Sequence, residues 1–126
     1  MVDRARGLYC QVIGTWNYPI MLTLVPVAGA IAAGNTVILK PSNVSPNVAN
    51  LLARLIPKYL DPKIVAVAGP GIKGDRASIQ KLLANRFDKI FFTGMCGVFT
   101  LGMSPRTNAV FVRWPHRRPY GDESRG

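Results

Sequence analysis

Acidic residues are scarce in this chain of 126 residues: 6 Asp and Glu stand against 16 Lys and Arg, a formal net charge of +10. Only one histidine, His116, and two cysteines, Cys10 and Cys96, are present. Two cysteines make no disulfide framework, and one histidine with two cysteines gives no ligand cluster, so no metal site is expected. The positive charge invites a reading as a nucleic-acid or membrane binder. The bases are instead spread from Arg4 to Arg125 without a dense block, and no nucleic-acid motif accompanies them. No Gly-x-Gly-x-x-Gly follows any strand-like stretch, so the ordinary dinucleotide fingerprint is missing. No secretory leader is recognisable, and a reducing, cytoplasmic setting is the expectation. Residues 19–39 are uncharged and about as long as a bilayer span, roughly 20 residues. Pro26, Gly29 and the turn Gly34-Asn35-Thr36 interrupt them, so no membrane span is expected.

What is there centres on Gly14-Thr15-Trp16-Asn17-Tyr18-Pro19. A mixed apolar run, 8–13, leads in as a buried strand, and residues 19–33 lead out as a helix. Gly14 permits a sharp turn, and Pro19 suits a first helical turn. Asn17 then sits on a strand-to-helix loop, where side chains are presented by a rigid scaffold. Its amide can donate to a developing oxyanion; equally, Asn17 can cap the helix. Ala28, Gly29, Ala30, Ala32 and Ala33 would allow close packing on a sheet. Gly34 stops the helix.

Thr36-Val37-Ile38-Leu39 reads as a parallel strand covered on both faces, ended by Lys40-Pro41-Ser42-Asn43. Ser45 can cap a second helix with Pro46 in its first turn. Val48, Leu51, Leu52, Leu55, Ile56 and Tyr59 follow at helical spacing, and Pro57 bends or ends the last turn. Residues 63–68 form a third strand, 69–71 a turn, 75–85 a third helix with Ile79, Leu82 and Leu83 inward, and 88–92 a fourth strand closed by Thr93-Gly94. The alternation predicts an α/β fold: a partial Rossmann-like open parallel sheet of about four strands with crossover helices. Ligands in such sheets bind at the carboxyl ends of the strands. Those ends carry residues 14–18, 40–43, 69–71 and 93–94. Residues 95–126 hold no sustained period; they contain Pro105, Pro115 and Pro119 and a basic run around Trp114. They read as an irregular C-terminal tail after a partial domain spanning 1–94.

These loops together resemble the aldehyde dehydrogenase superfamily, in the class that includes the fatty-aldehyde and dimeric class 3 enzymes. The resemblance rests on residues 13–19, on Gly29-Ala30-Ile31-Ala32-Ala33-Gly34-Asn35-Thr36-Val37-Ile38-Leu39-Lys40-Pro41-Ser42, and on Arg86-Phe87-Asp88-Lys89-Ile90-Phe91-Phe92-Thr93-Gly94. It implies NAD or NADP as cofactor and an aldehyde as substrate. Family members are homo-oligomers, and complete ones are in some cases membrane-anchored. By resemblance, Asn17 supplies the oxyanion-hole amide. Trp16 and Tyr18 line the substrate tunnel and cofactor crevice, with core packing as the alternative. Lys40, with Ser42 and Asn43 beside it, meets the adenosine ribose, with a solvated loop base as the alternative. Thr93 and Gly94 begin the turn near the pyrophosphate.

The chain departs from the family pattern in three places. Asn43 stands where the family has Glu. Met95 and Cys96 follow Thr93-Gly94 in place of Ser, and Phe99 replaces a Gly of the phosphate turn. Neither the Glu-Leu-Gly-Gly-Lys-like strand with the general base nor the Gly-Gln-x-Cys-like loop with the nucleophile occurs. Cys10 lies in the first strand, Cys96 in the altered turn, and the only Glu, Glu123, in the tail. The expected function is a fragment of an NAD(P)-dependent oxidoreductase, inactive alone for want of a thiolate. The break after Gly94 is what translation in another frame or through an intron would give. The alternatives are a non-catalytic nucleotide-binding or subunit-associating module and a charge-driven basic peptide.

Overall fold

The computed structural model describes residues 7–69, 76–94 and 108–113; for 76, 94 and 108–113 it describes the backbone alone. The elements in order are β1 (Tyr9–Ile13), α1 (Met21–Ala32), β2 (Thr36–Lys40), α2 (Pro46–Tyr59), β3 (Val65–Val67), α3 (Arg76–Leu83), β4 (Lys89–Gly94) and β5 (Asn108–Arg113). All strand pairs are parallel, and the sheet order is β3-β2-β1-β4-β5. The direction of winding reverses at β1, which lies between β2 and β4. Such a reversal opens a crevice at the carboxyl ends of the strands.

Side-chain alternation divides the core in two. Cys10, Val12, Val37, Leu39 and Val65 meet Val27 of α1 and Leu52 and Ile56 of α2 on one face. Ile13, Ile90 and Phe92 meet Ile79 and Leu83 of α3 on the other, with Ile38 packed alongside. Both faces of the inner strands are covered, as their nearly continuous apolar runs require.

The expected four strands and their crossover helices are present. Several details differ from the sequence reading. The tail contains a further strand: β5 pairs with β4 from Lys89↔Asn108 to Gly94↔Arg113. Ala109-Val110-Phe111-Val112 is short, but an open β4 edge gives it a ladder to join. Residues 95–107 and 114–126 lie outside the described residues, as do Pro70 and Gly71 of the expected turn.

α1 begins at Met21, and its N-cap is Ile20, so Asn17 does not cap it. The small residues of α1 do not line the sheet as expected. Ala30 packs on the core, but Ala28, Gly29, Ala32 and Ala33 are exposed. Larger residues, Leu24, Val27 and Ile31, make the contact instead. In α2, Leu52 and Ile56 are buried, whereas Tyr59 is 72% exposed and Leu51 is exposed too. A face centred on Ala49, Leu52 and Ile56 leaves both at its margin. α2 runs through Pro57 to Tyr59.

Gly34 does stop α1 by a left-handed turn, with φ +79°. Asn35 N–H donates to Ala30 O (3.0 Å) and Gly34 N–H to Ile31 O (2.9 Å), which satisfies two end carbonyls. Gly14 is needed for a different reason from the one expected, since its φ is not positive. A Cβ there would collide with the hydroxyl of Thr23, which is fully buried. No helix among the described residues is long and apolar enough to cross a membrane.

Candidate functional site

The chain leaves β1 at the winding reversal and enters residues 14–20. Gly14 N–H donates to Lys40 O (2.9 Å), which carries the β1–β2 ladder one residue past the strand. The loop then presents Trp16, 65% exposed, Asn17, half-buried, and Tyr18, exposed. With Ile20 as the cap residue, the Asn17 amide is not used to start α1. It stands on a loop anchored at both ends, by Gly14 on β2 and by Leu22 N–H on Tyr18 O (3.0 Å).

Next to this loop lies the end of β2. Lys40 belongs to the strand and is only 4% exposed, so it is not a solvated loop base. Its Nζ donates to Pro41 O and to Asn43 Oδ1, at 3.2 Å each. Both acceptors are neutral, and burial pushes the Lys40 pKa below the ordinary lysine value. Ser42 Oγ accepts from Val44 N–H (3.3 Å) and shapes the turn.

Ser45 is the N-cap residue of α2, but its side chain does not cap as expected. Ser45 Oγ donates to Trp16 O (3.2 Å) and joins the β1–α1 loop to the β2–α2 loop. Nothing in the sequence pointed to this cross-link, because Ser before Pro reads first as a cap. The neighbouring strand β4 brings Thr93 to the same end of the sheet, 4% exposed. Gly94 closes that strand. The structure thus places Trp16, Asn17, Lys40, Ser42, Asn43, Thr93 and Gly94 at one end of the sheet, on three adjacent strand ends. Cys96 and Phe99 lie outside the described residues.

Three buried hydroxyls at this end, of Thr15, Thr23 and Thr93, have no hydrogen-bond partner among the described residues. Buried polar groups are ordinarily paired. Thr15 and Thr23 were not foreseen. The chemistry of the donors fits an adenosine-type ligand: a buried ammonium at one strand end, an amide beside it, and an unsatisfied hydroxyl at the other. The reach of the pyrophosphate turn lies outside the described residues.

Cys10 is remote from this constellation. It is 7% exposed, on the face beneath α1, and burial pushes its thiol pKa up. A buried neutral thiol is a poor nucleophile. It borders a groove of about 320 Å³ between α1 and the β1–β4 pair, with Pro26, Ala30 and Phe91. That groove reaches Asn35 and Lys89, toward the amino ends of the strands, and takes no part in the site. No group of three or more potential metal ligands occurs among the described residues.

A family model described as aldehyde dehydrogenase family matches residues 4–100. "Aldehyde dehydrogenase family 3 member A2" of Pongo abelii is 49% identical over 87 residues, 69% of this chain and 17% of that protein. "Aldehyde dehydrogenase, dimeric NADP-preferring" of Canis lupus familiaris is 51% identical over 87 residues, 69% of this chain and 18% of the relative. Among solved structures, substrate-bound AldH of Staphylococcus aureus superposes with a TM-score of 0.61 at 42% identity, over 68% of this chain and 18% of that one. Proline utilization A of Bradyrhizobium japonicum, 23% identical with a TM-score of 0.65, shares the fold over 84% of this chain and 11% of its own. The chain therefore spans less than a fifth of the length of these proteins.

Proposed function

Because the chain belongs to the aldehyde dehydrogenase family, we propose that it forms the adenosine-binding part of an NAD(P)-dependent, aldehyde-oxidising site and carries one catalytic auxiliary, Asn17. The observation that carries this reading is Lys40. A lysine buried to 4% exposure at a strand end, beside the winding reversal, loses hydration that only a ligand or a precise cage restores.

In this reading Lys40 donates to the adenosine ribose while Ser42 and Asn43 hold the turn around it. Thr93 turns its buried hydroxyl to the same ligand, and Trp16 and Tyr18 offer exposed rings to the coenzyme or the aldehyde. The coenzyme, when bound, supplies the hydride acceptor. Asn17 donates its amide to the oxygen that gains charge when an aldehyde is attacked. The attack itself needs a thiolate and a base. Cys10 cannot serve, since its thiol is buried and its pKa raised. Asn17 alone therefore has no covalent step to assist, and the chain by itself is expected not to oxidise aldehydes.

Titration of the chain with NAD⁺ or NADP⁺ by calorimetry tests the reading. Saturable binding, weakened by Lys40→Met with helical circular dichroism retained, is the expected result. Absence of binding by a folded chain contradicts it. Absorbance at 340 nm with a fatty or aromatic aldehyde is expected to stay flat.

A second reading, association with other subunits of the family, draws on one observation. Ile20, Met21 and Val25 of the α1 region are each more than half exposed, in an otherwise apolar helix. Exposed apolar patches of this kind mark interaction surfaces. Sedimentation of the chain alone, which should show concentration-dependent association, tests it.

A further inference from the structure

β4 is held on its two sides by strands of different origin. On one side β1 pairs with it only from Cys10↔Lys89 to Ile13↔Phe92. Past Ile13 the chain turns to its other neighbour, where Gly14 N–H donates to Lys40 O (2.9 Å). On the other side β5 pairs with all six residues of β4, from Lys89↔Asn108 to Gly94↔Arg113. Among the described residues, Thr93 and Gly94 therefore have their strand partners in β5 alone. Yet β5 lies beyond the family likeness, since the family model ends its match at residue 100.

We propose that residues 108–113 serve as a built-in edge strand. They fill, within the same chain, an acceptor site along β4 for an extended parallel segment. An unfilled β4 edge presents a row of unpaired N–H and C=O groups, which is a template for pairing with another chain. Ile90 and Phe92 of the same strand carry part of the core, so β4 cannot be given up without cost. Val110, Phe111 and Val112 are residue types that suit a strand. Residues 95–107 supply the length of a parallel crossover, which takes about a dozen residues or more. A tether of this kind holds the strand at an effective concentration on the order of millimolar. A segment of a separate chain at micromolar concentration does not displace it. The part-length chain thus closes β4 itself and refuses a strand from another subunit there. Association with other subunits has to use another surface, such as the exposed apolar residues of the α1 region.

Proline removes one N–H, which an edge strand tolerates only where that N–H faces outward. Val110 and Phe111 are adjacent, so one of their two N–H groups faces β4 and the other faces away. The full chain, Val110→Pro and Phe111→Pro are compared by hydrogen exchange and sedimentation. In the unaltered chain, protected amides are expected within residues 108–113. One proline variant is expected to release β5: exchange in residues 93–94 quickens about tenfold or more, the loss of one ladder bond, and residues 36–40 stay as they were. That variant should also self-associate, because its β4 edge is open. The other variant should stay close to the unaltered chain. A peptide of the sequence of residues 108–113, added at millimolar concentration, should slow exchange in residues 93–94 of the released variant and leave the unaltered chain unchanged. Exchange of residues 108–113 at the rate of an unstructured chain overturns the proposal, whatever the variants do. So does a folded pair of variants with unaltered exchange in residues 93–94.

Discussion

The two ends of the parallel sheet are built differently. At the amino end the chain satisfies itself. Tyr9 and Asp88 exchange bonds, Tyr9 N–H to Asp88 Oδ2 and Asp88 N–H to Tyr9 O, both 2.9 Å. Asn35 Oδ1 accepts from Leu8 N–H (3.1 Å), Asp61 closes the entry to β3, and Gly34 completes α1. At the carboxyl end the same chain buries an ammonium, starts two helices without a side-chain cap, and leaves three buried hydroxyls unpaired among the described residues. Among the described residues, then, the uncapped helix starts and unpaired hydroxyls gather at the end where the winding reverses.

The comparison can be broken from either side. The largest effect is expected at Gly14. Gly14→Val drives a side chain into buried Thr23 and should cost about 3 kcal/mol of stability, read from urea unfolding. A neutral result would mean that the loop yields and does not fix Asn17. At the amino end, Asp88→Ala should cost about 2 kcal/mol, because Tyr9 N–H loses a charged acceptor. It should leave the relative affinity of any nucleotide unchanged.

Between the two ends lies a conflict that serves neither. Gln11 is fully buried in the middle of β1, opposite Ile38 and Ile90, and both its amide atoms lack partners among the described residues. Gln11→Met, of similar size and without those atoms, should stabilise the chain by about 1 kcal/mol or more. Destabilisation in the same unfolding experiment would reveal a partner for the amide.

Smaller still is the cross-link between the β1–α1 and β2–α2 loops. Ser45→Ala should cost no more than about 1 kcal/mol, yet weaken nucleotide binding by freeing the Trp16 loop.

The smallest effect is alkaline. The Cys10 thiol titrates above its ordinary 9.0 when folded, so the folded state holds its proton longer than the unfolded one. The associated stability is complete below about pH 9 and is lost as pH rises through the raised value. Lys40 acts in the opposite sense. Its depressed pKa makes the unfolded state bind the proton more readily, so stability rises with pH in the window below 10.5. Cys10→Ala should remove the loss and leave the gain, and Lys40→Met the reverse, in thermal melts taken as a function of pH.

Much of the architecture was legible because its signals were local. The apolar runs before Gly14 and Lys40, the Gly34 stop and the spacing of Ile79 and Leu83 each announce one element. β5 was not legible. Its four apolar residues sit between prolines in a segment without period, and only the neighbouring β4 edge makes them a strand. That Asn17, Lys40 and Thr93 stand at carboxyl ends of strands followed from the alternation of elements; that these strands are neighbours did not, since the alternation leaves the strand order open. The burial of Lys40 did not, since a lysine before Pro-Ser-Asn reads equally well as solvated. The cross-strand partners were hidden for the same reason. Ser45 on Trp16 and Thr23 beneath Gly14 are contacts between segments, and no spacing along the chain encodes them. Leu51 and Tyr59 share the helical spacing of α2 yet are exposed, because spacing gives a stripe and not its margins.

Hydrogen exchange measured with and without NADP⁺ tests the division of labour between the two ends most directly. The account predicts slowed exchange of backbone amides in residues 14–18 and 40–45, with no change in residues 34–36, 61–65 and 85–89. Protection at the amino end, or in the groove beneath α1, with residues 14–18 and 40–45 unaffected, would contradict it.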